Sequence, residues 1–334
     1  MRNKKYDKIT LYGKILRKEK FCEASSFRIN SIATQLTDAY LIAAKYYLNQ
    51  AGPYLKPSIL DFEQAMAGYQ KAIKLDKNYR QIFNAVSIPI DKRWEKLSEI
   101  IKEAKLEACL AFGEQFVQQK DWQAAKIFYT KKILKYLNPA EGLEALGRFY
   151  NTDEKAEIKQ KIWGKDIFVV LEDFEDSSKP VFINWAGHPS IKVKAHKISK
   201  QVSRTENCSE FFDLYYFKGG WNYWAKDVYI PLSETALPMG VRVFVKSQKP
   251  FKGCLKLSIH HEKEGKDGIY QNDIKKDVGD GWQMRWVDNL FKEAKISSQM
   301  DKCSIDNISI NAIIISPESD SNQFYVDDIE LYLI

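Results

Sequence analysis

The 334-residue sequence is poor in the side chains that most enzyme chemistry uses. It has four histidines (His188, His196, His260, His261) and five cysteines (Cys22, Cys109, Cys208, Cys254, Cys303), with no CxxC and no ligand-like spacing. An odd cysteine count argues against a disulfide framework, and the spacing argues against a zinc site. Cys109 and Cys254 instead lie in apolar patterns, as buried small hydrophobes do. There is no GxSxG, no HExxH, no Walker loop and no Gly-rich dinucleotide turn. No run approaches the roughly 20 apolar residues of a membrane helix, and no apolar h-region follows the N-terminal charges. The expectation is a chain without a transmembrane segment or export signal, cytoplasmic by default unless it is a fragment of a larger exported protein.

What is present is an ordinary globular composition, 45% apolar and 28% charged. The length suits two domains better than one core. The net charge of +7 is local, since residues 1–30 hold nine Lys or Arg against three Asp or Glu. Lys4, Lys5, Lys8, Lys14, Arg17, Lys18 and Lys20 alternate with Ile9, Tyr12, Ile15 and Leu16 at helical spacing, so a solvated helix face is the favoured reading over a phosphate or membrane contact. No nucleic-acid partner is expected.

From residue 1 to 162 the apolar residues follow a three-and-four spacing, which predicts a helical domain. Phe112-Gly113 with Phe116, then Asp121-Trp122, Ala125 and Tyr129, predicts a helical hairpin: Gly113 and Ala125 let two helices approach, and Asp121 caps the second. Leu146-Gly147 with Tyr150 repeats Phe112-Gly113 with Phe116 at a 34-residue offset, and Asp61-Phe62, Ala65, Tyr69 and Ala72 follow Ala44 and Tyr47 in the same way. This pattern resembles the tetratricopeptide repeat, with departures around Pro53 and Pro57, at Lys132 and over residues 79–105. The resemblance implies a TPR-like array of helical hairpins whose concave face binds a protein partner. Tyr6 to Arg17 reads as a lone second helix, as though the array began upstream.

After Trp163-Gly164-Lys165 the period changes to two, and residues 166–334 predict an antiparallel β-sandwich. Val241, Val243 and Val245 alternate with Arg242, Phe244 and Lys246, and Leu255, Leu257 and Ile259 alternate with Lys256, Ser258 and His260. In the closing strand Phe324 and Val326 have one parity while Ile329, Leu331 and Leu333 have the other, which demands a bulge at Asp327-Asp328.

The landmarks come in a set order: an acidic Asp173-Phe174-Glu175, a Gly240-Val241-Arg242-Val243 strand, Gly281-Trp282-Gln283, and Phe324-Tyr325-Val326-Asp327-Asp328-Ile329-Glu330-Leu331. In this order they resemble the galactose-binding-like jelly roll of carbohydrate-binding modules. The fold class is thus two-domain α plus β, with domains at 1–162 and 166–334. A sugar-binding surface needs flat rings flanked by hydrogen-bonding groups. Tyr215, Trp221, Asn222, Tyr223 and Trp224 around Gly219-Gly220 form one candidate surface. A second is the polar parity of the central strands, Arg242, Phe244, Lys256, Ser258 and His260, joined by Gln283 and Arg285, whose cations suit an acidic polysaccharide.

Related modules hold a structural calcium between the first and last strands, which the resemblance carries onto Asp173, Glu175, Asp327 and Asp328. No other cofactor is required. The group His261, Glu262, Glu264 and Tyr270 could serve an acidic-polysaccharide-acting enzyme, but the sequence around it reads as a charged hairpin tip. The expected function is a non-catalytic adaptor, its sandwich on a glycan and its helices on a protein or extending an assembly. The rival is a purely structural protein–protein scaffold.

Overall fold

The computed structural model describes residues 2–21, 26–51, 59–176, 178–187, 191–216, 221–228, 237–248, 254–263, 266–272, 275–287, 308–315 and 320–334. Among these residues seven α-helices precede twelve β-strands, and the chain divides into two compact units, Met1–Gln115 and Phe116–Ile334.

The first unit contains α1 (Arg2–Phe21), α2 (Ser26–Ala51), α3 (Ile59–Ala85) and most of α4 (Lys92–Gln118). Ala44 and Tyr47 on α2, and Phe62, Ala65, Tyr69 and Ala72 on α3, are all buried, as their spacing predicts. Pro53 and Pro57, where the sequence departs from the repeat pattern, lie outside the described residues. Tyr79 stacks on Trp94 at 4.6 Å, and Tyr40 meets it edge-on at 5.2 Å. The polar tips of two of these rings have partners: the Tyr79 hydroxyl lies 2.8 Å from Thr37 Oγ1, and Trp94 Nε1 donates to Asp76 Oδ1 at 2.7 Å.

The second unit opens with α5 (Trp122–Thr130), α6 (Pro139–Tyr150) and α7 (Ala156–Ile162). Asp121 caps α5, its carboxylate accepting from the Ala124 amide at 3.0 Å, as the sequence predicts. Asn138 caps α6 ahead of Pro139. The helix-to-strand change lies between Ile162 and Phe168, whereas the compact division falls earlier, because α5 and α6 pack on the strands. Gly147 explains part of this: a Cβ there would overlap the Leu333 side chain, so the small residue serves contact with the final strand rather than contact between helices.

Two antiparallel sheets follow. Sheet A has the order β3 (Ile191–Ser199), β4 (Ser209–Tyr216), β12 (Asp320–Leu333), β6 (Met239–Ser247), β10 (Trp282–Val287), β9 (Lys275–Gly279), and β1 (Phe168–Glu172) also pairs with β12. Sheet B runs β2 (Ile183–Gly187), β5 (Trp221–Val228), β11 (Ile308–Ile315), β7 (Cys254–Lys263), β8 (Lys266–Asn272). Phe212 stacks on Phe324 at 4.7 Å and meets Trp224 of sheet B at 5.2 Å, which places the core between the sheets.

The predicted bulge is present. Asp327 pairs with Phe244 and Ile329 with Val243, so Asp328 is the extra residue, and its φ of 41° is left-handed. The slip keeps Val326, Ile329 and Leu331 all buried in one long strand.

Candidate ligand-binding face of the sandwich

Alternation assigns the other face of sheet A. Tyr325 pairs with Phe211 on one side and Lys246 on the other, Met284 pairs with Phe244, and Trp282 pairs with Lys246. Phe211, Phe244, Trp282 and Tyr325 form one buried cluster on this face, pointing away from Phe212 and Phe324. Further along it lie Tyr215 opposite Ser321, and Asp213 opposite Gln323.

At the bulge end the face is ionic and internally satisfied. The stretch between β3 and β4 folds over it and lays the Arg204 guanidinium 3.4 Å from the Phe244 ring centre. Arg204 Nη1 is 2.7 Å from Asp328 Oδ2 and 3.3 Å from Glu330 Oε1, its amide donates to Asp327 Oδ2 at 2.7 Å, and the Thr205 hydroxyl donates to Asp328. Arg242 Nε donates to Glu330 Oε2 at 2.6 Å and Nη1 to Asp166 Oδ2 at 3.0 Å. Burial raises the affinity of Asp327, Asp328 and Glu330 for protons. The neighbouring Asp328 charge raises Asp327 further, to about 8, while the Arg204 and Arg242 charges oppose burial at Asp328 and Glu330 respectively.

The four residues of the calcium expectation all border this loop. Asp173 Oδ2 is 2.8 Å from Lys131 Nζ, and its Oδ1 accepts from the Glu175 amide. Glu175 Oε1 accepts from the amides of Asn207 and Cys208 at 2.8 and 2.5 Å. Protein cations and amides thus meet the oxygens that a calcium shell of six to eight ligands would need. Among the described residues no three His, Cys, Asp or Glu side chains are grouped to hold a metal ion. The positive charge beside Asp328 is that of Arg204.

Beside the same loop is an open cleft of about 690 Å³ lined by Glu175, Asp176, Lys200, Glu206 and Cys208 among others. Burial raises the pKa of the Cys208 thiol, and the nearby Glu175 charge adds to the rise.

The other predicted ligand residues separate. Arg242 and Phe244 lie on sheet A but are committed to the contacts above, and Phe244 is only 2% exposed. His260 lies on β7 of sheet B opposite Ser309, a different sheet from theirs. Gln283 and Arg285 pair with Val245 and Val243, which puts them on the opposite parity to Phe244. Trp224 is buried in the core, 4.6 Å from His196. Trp221, Asn222 and Tyr223 fall on β5, but their side chains lie outside the described residues, as do those of Lys256, Ser258, His260, His261, Glu262 and Tyr270, and as does Glu264 altogether. The predicted charged hairpin is there in the backbone, Glu262 pairing with Asp267. Tyr215 is the predicted residue that the described surface retains, half-buried, with Lys194 Nζ 5.5 Å from its ring centre.

Sequence reasoning missed Arg204, Thr205 and Lys131, which stand in aperiodic stretches, and Lys194, Lys197 and Lys246. Lys197 joins this face only because β3 slips register between Val193 and Ala195, which sends His196 inward beside Phe212. There His196 Nε2 meets the buried Glu210 at 2.5 Å, while Glu210 also accepts from the Val181 and Phe182 amides.

No family model matches this sequence. No curated protein matches it either. Solved structures that this chain matches in part include a carbohydrate-binding module of the β-sandwich superfamily described for promiscuous specificity, at 11% identity and TM-score 0.36, covering 49% of this chain and 62% of that one. The family 11 carbohydrate-binding module from Clostridium thermocellum, in complex with a β-1,3-1,4-mixed-linked tetrasaccharide, matches at 20% identity and TM-score 0.33 over 49% of this chain and 94% of that one. A xylan-binding domain from Paenibacillus barcinonensis matches at 12% identity and TM-score 0.31 over 49% and 94%. Each likeness spans about half of this chain.

Proposed function

We propose that the chain is a non-catalytic adaptor whose sandwich binds a glycan on the outer face of sheet A and whose helices, TPR-like in their spacing, engage a protein partner or extend an assembly. The observation that carries the glycan reading is the group around Tyr215. The half-buried ring has Lys194 beside it, Lys194 Nζ donates to Ser321 Oγ at 2.9 Å, and Gln323 Nε2 donates to Asp213 Oδ2 at 2.8 Å. A ring edged by an ammonium, a hydroxyl, an amide and a carboxylate is the mixture that a sugar's C–H face and hydroxyls require. The carboxylates at the bulge have an architectural role in this reading, with Arg204 and Arg242 as their counterions.

Affinity electrophoresis of the full chain through gels containing neutral and acidic polysaccharides tests it. Retardation is expected, with loss in Tyr215→Ala at unchanged melting temperature. Absence of retardation on every glycan would favour the scaffold reading, which the burial of Phe244 and Arg242 under internal partners also suits.

A further inference from the structure

We infer that the glycan is acidic: the outer face of sheet A is built for a polysaccharide bearing uronic-acid carboxylates, met by Lys194, Lys197 and Lys246. This rests on the glycan reading above and narrows it. A neutral pyranose is held by stacking on an exposed ring, and apart from the half-buried Tyr215 the rings of this face are covered. Phe211, Phe244, Trp282 and Tyr325 are 9%, 2%, 4% and 6% exposed. Three of these rings have a cation beside them: Lys197 Nζ lies 5.9 Å from the centre of Phe211, Lys246 Nζ 6.0 Å from Trp282, and the Arg204 guanidinium close on Phe244. A ligand approaching this surface meets ammonium groups before it meets ring faces. The aliphatic stems rest on the aromatic floor and the charged heads stay at the water boundary.

Those ammonium groups are available. Lys131, Lys161 and Lys226 are each paired with a carboxylate, whereas none of Lys194, Lys197 and Lys246 is ion-paired among the described residues. Lys192, opposite Tyr215 on β3, adds a fourth cation and is exposed like Lys194 and Lys197, while Lys246 is half-buried. Against them the same zone holds Asp213, one oxygen of which already accepts from Gln323. Asp327, Asp328 and Glu330 lie further along and are answered by Arg204 and Arg242. The zone is therefore net positive. The register slip between Val193 and Ala195 is what brings Lys192, Lys194 and Lys197 to one side of β3. Lysines on an edge strand also discourage pairing with other strands, but that role does not ask for Lys246, which stands three strands away across β4, β12 and β6.

The test uses one backbone with and without charge: polygalacturonate against its fully methyl-esterified form, alongside a neutral mixed-linked β-glucan and a single-stranded oligonucleotide. The full chain is expected to bind polygalacturonate at least about tenfold more tightly than the ester, the preference fading as salt is raised. Lys194→Gln with Lys197→Gln should lower polygalacturonate affinity about tenfold or more while leaving the melting temperature in place. Binding to the ester or the β-glucan as tight as to polygalacturonate overturns the acidic inference and leaves the glycan reading standing. Binding to none of the three polysaccharides overturns both. Equal binding to the oligonucleotide at matched charge overturns the inference in favour of generic polyanion attraction.

Discussion

Arg204→Met removes the counterion of the bulge and should destabilise the second unit sharply. The substituted side chain retains apolar contact with Phe244 but leaves Asp328 with Thr205 alone and Glu330 with Arg242 alone. Both carboxylates are 2% exposed, while the Arg204 side chain is 27% exposed. Breaking a fully buried pair costs about 3–5 kcal/mol, and the partial exposure of Arg204 places this case near the lower end, about 3 kcal/mol. For a unit of this size that corresponds to a fall of roughly 6–12 °C in melting temperature. Urea unfolding followed by tryptophan fluorescence reads the change, and Asp328→Asn with the double variant completes a cycle. The pair should show a coupling of more than about 1 kcal/mol, because the amide no longer needs the guanidinium. A change below about 0.5 kcal/mol in Arg204→Met would refute the reasoning, since it would mean that the loop and not the ion pair holds Asp328.

Three further outcomes follow from the same geometry. Asp327 has a folded-state pKa near 8 against an unfolded value near 4, so the folded chain retains a proton that the unfolded chain releases, and ionisation works against folding as pH rises through that window. Asp327→Asn should therefore become progressively more stable than the parent between pH 5 and pH 8, by up to about 1.4 kcal/mol per pH unit; parallel stability–pH curves would contradict it. Calcium at millimolar concentration, or its chelation, should leave the melting temperature of the parent unchanged, because Arg204 and Lys131 already serve the carboxylates; a calcium-dependent rise that disappears in Asp328→Ala would reverse this. Gly147→Val should cost about 1–3 kcal/mol through overlap with Leu333, read by thermal melting of the strand signal in circular dichroism.

The sequence made the architecture legible where a period persists long enough to be counted. The two parities of Phe324-Val326 and Ile329-Leu331 located the bulge at the Asp327-Asp328 pair, and Asp121 announced the start of α5. The candidate face was less legible, for two physical reasons. Alternation tells which residues share a side of one strand but not which strands share a sheet, so Arg242 and His260 were grouped although they lie on different sheets. The residues that decide the chemistry also stand where periodicity fails: Arg204 in the stretch between β3 and β4, and Lys197 after a register slip that exchanges its side with that of His196. Gly147 had a visible signature but an unexpected partner, a strand more than 180 residues downstream.

Lysine acetylation footprinting of the full chain, read by mass spectrometry with and without polygalacturonate fragments, tests the central claim most directly. Lys194, Lys197 and Lys246 are predicted to be protected by the ligand while the exposed lysines of α4, such as Lys96 and Lys102, react as before. Unchanged reactivity at all three in the presence of bound glycan would contradict the assignment of this face.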